Sequence, residues 1–468
     1  MTDSLRRRTF LKASGAAGAA TVAGGLMGTA AADAHLPPIE RDGNKLTAGG
    51  DEIDLHGVNI ADPKRVDVTA PARGKTAAQA IDMATDESQG WYANVIRLPV
   101  QPVDIGEHEA GAGPAPPSFD EDQLTAYMDD HLDQAVQACA DNGAYAIIDY
   151  HRHRDVAWGS TNDDDEFSPN EELSDEVIMF WNTVAPRYGD MDHVIFEMYN
   201  EPQGNPNYGI DGQELVDFWD NWKTTAQPWV DAIREHSENL VLVGSPRYSQ
   251  MTYGAVIEEF DGENLGYTLH LYPAHDPTEP ADYDDWVTPE SYGGEVPYDD
   301  ETPAYEIAPV VMTEWGFDPD ADVWAGGGVT EDTAEGDDAE YDPDYGQHVT
   351  EWLSTRPVHS TAWVFDPIWD PNMVEYGFET GSDGIGQPYD DEPIPEWCSE
   401  RPCEWTVLTG DYMGDTVKSF LTPETIEEYA GEDGELQPSE VMAAKGDYLT
   451  GDLSIEDIRA IIRTFIFQ

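Results

Sequence analysis

The chain has 468 residues, of which 95 are acidic and only 23 are basic, so its formal net charge is −72. A surface with this charge repels nucleic acid and anionic membranes, and neither is an expected partner. The acidic residues are spread along the whole chain, and an aromatic content of 10% argues against a disordered acidic polymer. Because the Debye length falls to about 3 Å at molar salt, we expect a salt-adapted protein whose folding requires high salt.

The three cysteines are too few for a disulfide-built scaffold, and their spacing predicts no metal site. Cys139 lies in an apolar helical pattern and is predicted to be buried. Cys398 and Cys403 flank a short loop and could form a disulfide in an oxidising compartment. Acidic runs such as residues 163–166 could bind calcium, but their composition favours a solvated acidic surface.

Residues 1–34 are predicted to be a twin-arginine export signal. Arg7 and Arg8 precede an Ala/Gly-rich run, residues 13–28, that is too short and too weakly apolar to span a membrane. Small residues suitable for signal cleavage follow at 30–34. We therefore expect a secreted protein and exclude this segment from the fold.

Eight apolar segments, most of them separated by helical patterns, predict a repeating βα architecture. Each segment is nearly continuous in Val, Ile, Leu, Tyr or Phe, as is typical of parallel strands covered on both faces. No Gly-rich phosphate loop follows the first strand, which disfavours a dinucleotide-binding fold. We expect an α/β fold, a (β/α)8 TIM barrel, over residues 35–405. The predicted strands are 52–59, 93–99, 144–151, 194–199, 240–244, 265–272, 309–316 and 360–366, and the clearest helices are 120–140, 174–188, 214–235 and 344–354.

Residues 406–468 are predicted to form a small, mostly helical C-terminal extension. Residues 446–465 weakly resemble half of a dockerin, but the repeated Asp pattern of a calcium loop is missing. A helical packing element is favoured over a metal site, and docking of a partner protein through these helices is an open alternative.

Candidate functional residues lie at or near the carboxyl ends of six predicted strands. Because the carboxyl ends of parallel barrel strands meet on one face, these side chains are expected to share one site. Glu201 and Glu314 end the fourth and seventh strands and should face each other across the barrel mouth. The full set is Arg97, His151, Asn200, Glu201, His270, Tyr272, Glu314 and Trp363.

Two carboxyl groups facing across a cleft suit glycoside hydrolysis, in which one donates a proton and the other attacks the anomeric carbon. Arg97 within reach of Glu314 would hold that carboxylate ionised, which predicts Glu314 as the nucleophile and Glu201 as the acid/base. The remaining residues are expected to bind or position the substrate. Asn200 would bond the sugar 2-hydroxyl, His270 and Tyr272 would position nucleophile and substrate, and Trp363 would stack on a sugar ring, with Trp158, Trp315 and Trp369 as weaker candidates.

This ordered set of strand ends resembles glycoside hydrolase family 5, the cellulase A family, over residues from about 40 to 370. The matching segments are 94–99, 148–151, 199–202, 270–272, 313–316 and Trp363. The resemblance, to a secreted member of haloarchaeal type, implies a retaining double displacement through a glycosyl-Glu314 intermediate, with no metal or organic cofactor. The eighth strand departs from many cellulases of the family by reading Trp363-Val364-Phe365-Asp366-Pro367, which leaves the β-linked glycan undetermined.

The leading hypothesis is a secreted endo-β-1,4-glucanase acting on a polysaccharide. A β-mannanase is the nearest alternative, because the two activities share every strand-end residue named above. A non-catalytic glycan-binding protein would keep the aromatic surface but would not need both Glu201 and Glu314. A scaffold protein that docks a partner through the C-terminal helices is the third alternative.

Overall fold

The computed structural model describes residues 36–109, 113–152, 171–202, 212–273, 279–289, 301–318, 344–376 and 404–423, together with Cys398, Val441, Ala444 and Ile461. The predicted export signal, the acidic run at 163–166 and Trp158 lie outside these residues. So do Cys403 and most of the predicted C-terminal extension.

Eight parallel strands close into a barrel, which confirms the predicted (β/α)8 architecture. Strands β4 to β11 follow one another around the barrel in chain order, and β11 pairs with β4 to complete the ring. The strands are β4 (His56–Asn59), β5 (Val95–Val100), β6 (Tyr145–Tyr150), β7 (Val194–Glu197), β8 (Val241–Val243), β9 (Leu265–Leu271), β10 (Val310–Trp315) and β11 (Val358–Ala362).

Side-chain alternation along the strands divides the barrel interior into an apolar floor and a polar upper layer. Val95, Ile147 and Ile195 pack together in the floor. Two residues further along the same strands come Arg97, Asp149 and Glu197, which lie on the same face because the side-chain period of a strand is two. The register of β5, β6 and β7 thus places one guanidinium and two carboxylates at one level, below the mouth of the barrel.

A three-stranded antiparallel sheet closes the floor of the barrel. It consists of β1 (Ile39–Asp42), β2 (Lys45–Ala48) and β3 (Asp51–Glu52). Ile39 and Leu46 are buried against the apolar floor residues. This end is therefore filled by packing, and the opposite end is left for chemistry.

Helices surround the barrel and bury their apolar faces against it. The predicted helices at 120–140, 174–188, 214–235 and 344–354 are all present, the first as three successive segments with a π turn in the middle. No helix in the described ranges has both the length and the apolar character needed to cross a membrane. The helices are α1 (Pro63–Val68), α2 (Ala70–Arg73), α3 (Ala77–Ala84), α4 (Pro102–Ile105), α5 (Glu121–Tyr127), α6 (Asp133–Asp141), α7 (Glu171–Tyr188), α8 (Gly212–Arg234), α9 (Pro246–Ser249), α10 (Gly254–Ile257), α11 (Asp282–Asp285), α12 (Ala304–Ile307), α13 (Tyr345–Thr355) and α14 (Met413–Leu421), with a π-helical turn at Met128–Leu132 and a 3-10 turn at Glu87–Gln89.

The chain after the barrel packs back onto it. Strand β12 (Val374–Tyr376) pairs with β13 (Trp405–Val407), and α14 buries Met413 and Val417 in the same core as the barrel helices. Cys398 is disulfide-bonded, whereas Cys139 is a buried free thiol as predicted. Only part of the segment beyond residue 405 is described, so a domain boundary there stays a prediction.

Candidate active site

Arg97 lies at the centre of the site and is completely buried. Its Nε and Nη2 donate to the two carboxylate oxygens of Glu197 at 2.6 and 2.9 Å. Nη1 donates to Glu314 Oε1 at 2.8 Å, and Nη2 lies 3.0 Å from Asp149 Oδ2. One guanidinium therefore faces three buried carboxyl groups, a set that is compatible with burial only because each group is hydrogen-bonded.

Two amides complete the shell around Arg97. Asn59 Oδ1 accepts from Nη1 at 3.0 Å, and the Asn59 amide nitrogen donates to three strand carbonyls, including that of Thr313 at 3.0 Å. Asn200 Oδ1 accepts from Nη2 at 2.7 Å. Because its oxygen faces Arg97, the Asn200 side chain directs its amide nitrogen elsewhere, which suits donation to a ligand hydroxyl.

Glu314 is held as an anion. Besides Arg97, the Tyr272 hydroxyl donates to Glu314 Oε2 at 2.7 Å. Burial on its own would raise the pKa of Glu314, but the positive charges of His270 and Arg97, with the Tyr272 hydrogen bond, outweigh burial and lower it to about 2. A carboxylate that stays ionised at neutral pH and is partly desolvated is suited to nucleophilic attack.

Glu201 lies across the site from Arg97 and has different contacts. Its Oε1 is 3.0 Å from His270 Nδ1, and 17% of its side chain is exposed, against 7% for Glu314. One oxygen of Glu201, one nitrogen of His270 and one oxygen of Glu314 all lie within 4.8 Å of one another. An oxygen–oxygen separation of at most 4.8 Å is closer to the roughly 5–5.5 Å between the carboxyl groups of retaining glycosidases than to the roughly 6.5–9.5 Å of inverting ones.

The same three residues offer the ligand types of a metal site. However, Glu201 Oε1 and His270 Nδ1 are already hydrogen-bonded to each other. Glu314 Oε1 is already paired with the guanidinium of Arg97, at 2.8 Å from Nη1. A neighbouring guanidinium disfavours a second cation, because the carboxylate charge is already balanced. The cluster is therefore better suited to proton transfer than to cation binding.

His151 is a neutral imidazole in a fixed orientation. Its Nδ1 lies 2.7 Å from Asp149 Oδ2. Burial, assisted by the charge of Arg97, lowers the pKa of His151 to about 3, while burial raises the pKa of Asp149 to about 7 despite the opposing effect of Arg97. The bond to Asp149 therefore fixes the orientation of the His151 ring in the site.

Three aromatic rings and a cation stack along one side of the site. The rings of His151 and Trp363 are nearly parallel, at 4° with centroids 5.4 Å apart, and Trp369 lies at 24° and 5.8 Å from Trp363. The Arg65 guanidinium lies 5.6 Å from the centre of the Trp369 ring. Trp315, a weaker stacking candidate, is fully buried among core residues, and this interpretation of it is wrong because the strand alternation turns its ring away from the cleft.

All eight predicted site residues therefore meet at one end of the barrel, but four polar residues around them were missed. Asp149 and Glu197 lie inside apolar strands, where a buried acid requires a cationic partner, and the buried Arg97 was the available signal. Asn59 and Thr313 have no comparable signal, because short polar side chains at strand ends are common.

The short segment α9 after β8 is a left-handed turn rather than a regular helix, and it also contacts the site. Arg247, Tyr248 and Ser249 have positive φ angles of 57–58°, a left-handed turn that non-glycine residues adopt only at a cost. Ser249 Oγ donates to the Asn200 carbonyl at 2.6 Å, and Tyr248 N donates to the Pro202 carbonyl at 3.0 Å. The turn thus supports the backbone on both sides of Glu201 and leaves the Tyr248 side chain 42% exposed.

A family model described as cellulase (glycosyl hydrolase family 5) matches residues 46–365. The match covers more than half of the chain, all eight barrel strands and all eight predicted site residues. The chain belongs to glycosyl hydrolase family 5.

Two curated endoglucanases match parts of this chain. An endoglucanase of Bacillus sp. (strain KSM-635) is 24% identical over 338 residues, which cover 71% of this chain and 31% of that protein. Endoglucanase C of Evansella cellulosilytica is 31% identical over 192 residues, covering 39% of this chain and 21% of the relative. This chain therefore spans about a fifth to a third of the length of these curated relatives.

A solved family 5 structure shares the fold. It is the beta-glucanase SdGluc5_26A from Saccharophagus degradans in complex with cellotetraose, with a TM-score of 0.50 and 21% identity over 74% of this chain and 91% of that chain.

Proposed function

We propose that this family 5 protein is a secreted, salt-adapted endo-β-1,4-glucanase that hydrolyses its substrate with retention of configuration. The observation that carries the proposal is the pair of unlike carboxyl groups of Glu201 and Glu314, which bring one oxygen each to within 4.8 Å, with Glu314 held ionised by Arg97 and Tyr272. Retaining glycosidases need such a close pair, because one carboxylate attacks the sugar directly.

In the first step, Glu314 attacks the anomeric carbon while Glu201 donates its proton to the leaving glycosidic oxygen. The glycosidic bond breaks, a glycosyl-Glu314 ester forms, and Glu201 is left as a carboxylate. In the second step, Glu201 takes a proton from an incoming water, which attacks the anomeric carbon and releases Glu314. The two steps return every group to its starting protonation state.

The residues around Glu201 and Glu314 position the substrate. The Asn200 amide nitrogen donates to the sugar 2-hydroxyl, a bond that strengthens in the transition state. His151 and Trp363 contact the sugar at the point of cleavage, and Trp363 does so through its edge rather than by the expected stacking, because His151 and Trp369 stack on its ring. Tyr248, exposed beside Pro202, offers an aromatic surface on the leaving-group side.

Cellulose-type glucan is favoured over mannan by the comparisons, since both curated relatives above are named endoglucanases. Reducing-sugar release from carboxymethylcellulose, mannan, xylan and laminarin should be measured side by side in molar KCl. We expect carboxymethylcellulose to be cleaved fastest, and Glu201→Gln and Glu314→Gln to lower the rate by at least about 10³-fold. Fastest cleavage of mannan would make the protein a mannanase, and full activity of both variants would remove the catalytic assignment and favour glycan binding alone.

Secretion through twin-arginine export, and docking of a partner by the C-terminal helices, remain proposals that rest on the sequence. Deleting residues 424–468 separates the docking role from hydrolysis. The deletion removes the buried residues Ala444 and Ile461, so thermal melting of the truncated chain checks the fold. If it folds, it should retain the rate of the full chain on soluble substrate, because it keeps every site residue.

A further inference from the structure

A hydrogen-bonded chain runs from Glu201 into the interior of the barrel. His270 Nδ1 lies 3.0 Å from Glu201 Oε1, and His270 Nε2 lies 2.9 Å from Thr313 Oγ1. Thr313 Oγ1 in turn donates to Glu197 Oε1 at 3.1 Å. His270, Thr313 and Glu197 are all buried, so water does not compete for these bonds.

The direction of each bond follows from the group at the inner end. Burial raises the pKa of Glu197, but its two carboxylate oxygens accept from Arg97 Nε and Nη2, a bidentate bond to a fixed cation that favours the ionised form. The single Thr313 hydroxyl proton therefore points to Glu197. The Thr313 oxygen can then only accept from His270, which places a proton on His270 Nε2. A neutral His270 is thereby fixed as the Nε2–H tautomer, with the Nδ1 lone pair facing Glu201.

A charged His270 fits the same chain without any rotation. An imidazolium donates from Nε2 to Thr313 and from Nδ1 to Glu201. One proton can therefore lie on either Glu201 Oε1 or His270 Nδ1 at a fixed separation of 3.0 Å. The neutral Nδ1–H tautomer does not fit, because its bare Nε2 would face a hydroxyl that has already given its proton to Glu197.

The electrostatic surroundings of His270 favour this sharing. Burial alone would lower the pKa of His270, but the carboxylates of Glu314 and Glu201 outweigh burial and raise it. Glu314 Oε2 lies 3.7 Å from Nδ1 and Glu197 Oε1 lies 3.9 Å from Nε2. The titratable and charged groups that face His270 are Arg97, Asp149, His151, Glu197, Glu201, Tyr272 and Glu314.

We propose that Thr313 and Glu197 are positioning residues that act through His270. They fix the imidazole tautomer so that His270 and Glu201 share the proton delivered to the leaving oxygen and recovered from water. The inference rests on the proposed function and explains how the proton of the acid/base is oriented. Glu197 lies four residues before Glu201, and Thr313 lies directly before Glu314. The two segments that carry the catalytic carboxyls therefore also carry the groups that orient the proton.

The test is the pair Thr313→Val and Thr313→Ser, since valine has the shape of threonine without the hydroxyl and serine retains it. In Thr313→Val, His270 is free to adopt the Nδ1–H tautomer, which stabilises the ionised form of Glu201. The alkaline limb of the pH profile of kcat/KM should then move to lower pH. Hydrolysis of an aryl cellobioside with a poor phenol leaving group should fall by about 10–100-fold, which is part of the roughly 10²–10⁴-fold that general acid catalysis contributes. A dinitrophenyl cellobioside, whose leaving group needs no proton, should be cleaved at nearly the original rate.

Thr313→Ser should retain the pH profile and both rates, and thermal melting of both variants checks the fold. Equal losses on the two substrates in Thr313→Val with an unmoved pH profile, or identical behaviour of the Thr313→Val and Thr313→Ser variants, would overturn the proposal.

Imidazole ¹⁵N chemical shifts of His270 give a readout that needs no substrate. A neutral Nε2–H tautomer in the original protein that is lost in Thr313→Val supports the proposal, and an Nδ1–H tautomer in the original protein contradicts it. If no aryl cellobioside is cleaved, the proposed function fails while the ¹⁵N result still decides the tautomer.

Discussion

At the scale of residues, the two catalytic candidates differ in what surrounds them. Glu314 is bonded by a guanidinium and a phenol, whereas Glu201 is bonded by an imidazole and partly faces solvent. The sequence predicted the Arg97–Glu314 contact from the position of Arg97 near a strand end. It could not predict that Asp149 and Glu197 share the same guanidinium, because that depends on the register of three neighbouring strands.

Removal of the Tyr272 hydroxyl tests how Glu314 is kept ionised. Tyr272→Phe removes a 2.7 Å bond to the anionic form, so the pKa of Glu314 should rise from about 2. The acid limb of the pH profile should move to higher pH, since the nucleophile is protonated as the pH falls through its raised pKa. We also expect kcat to fall by about 10-fold, as for one hydrogen bond of about 1.5 kcal/mol to a charged group. An unchanged acid limb would mean that Tyr272 does not control the ionisation of Glu314.

At the scale of elements, the repeating strands and helices were predictable because strands covered on both faces have continuous apolar sequences. Other elements were not. The three-stranded sheet that closes the barrel floor has short, mostly polar strands, and the left-handed turn at 247–249 has no glycine to indicate it. The packing of α14 against the barrel depends on contacts between residues that are far apart in sequence.

The loop after β11 is held by a buried ion pair. Arg73 Nε and Nη2 donate to the Asp366 carboxylate at 2.6 and 3.0 Å, and Asp366 Oδ2 accepts from the backbone nitrogens of Ile368 and Trp369. This carboxylate thus fixes the segment that carries Trp369 beside Trp363.

Removal of Arg73 from its ion pair with Asp366 should lower the stability of the protein. Arg73→Met leaves a buried carboxylate without its cation, and we expect the free energy of unfolding to fall by about 3–5 kcal/mol. Arg187→Met is the matched control, because Arg187 pairs with Asp129 and Asp133 at the surface and such pairs contribute about 1 kcal/mol or less. Denaturant unfolding in molar KCl measures both variants, and equal effects would argue against a special role for the Arg73–Asp366 pair.

At the scale of the whole molecule, the net charge of −72 dominates. Several of the few cations, such as Arg65, Arg73, Arg97 and Arg152, are used in buried ion pairs and cannot neutralise the acidic surface. The surface carboxylates therefore repel one another unless salt screens them. The need for salt thus stays a prediction from composition, and it requires no knowledge of the fold.

The melting temperature should consequently rise steeply between about 0.1 M and about 3 M KCl, over which the Debye length falls from about 10 Å to below 3 Å. An equimolar nonionic osmolyte such as sorbitol is the control, because it stabilises by exclusion from the surface but does not screen charge. A melting temperature that does not change with KCl, or one that sorbitol raises equally, would show that charge repulsion does not limit stability.

The most direct measurement of the central assignment is covalent trapping of the nucleophile. A dinitrophenyl 2-deoxy-2-fluoro-β-cellobioside slows both steps but forms the intermediate faster than it is hydrolysed, so the glycosyl enzyme should accumulate in molar KCl. Mass spectrometry should show one added fluorocellobiosyl group, peptide mapping should place it on Glu314, and Glu314→Gln should remain unlabelled. A label on Glu201, or hydrolysis of cello-oligosaccharides with inverted configuration and no covalent adduct, would contradict the assignment of Glu314 as nucleophile and Glu201 as acid/base.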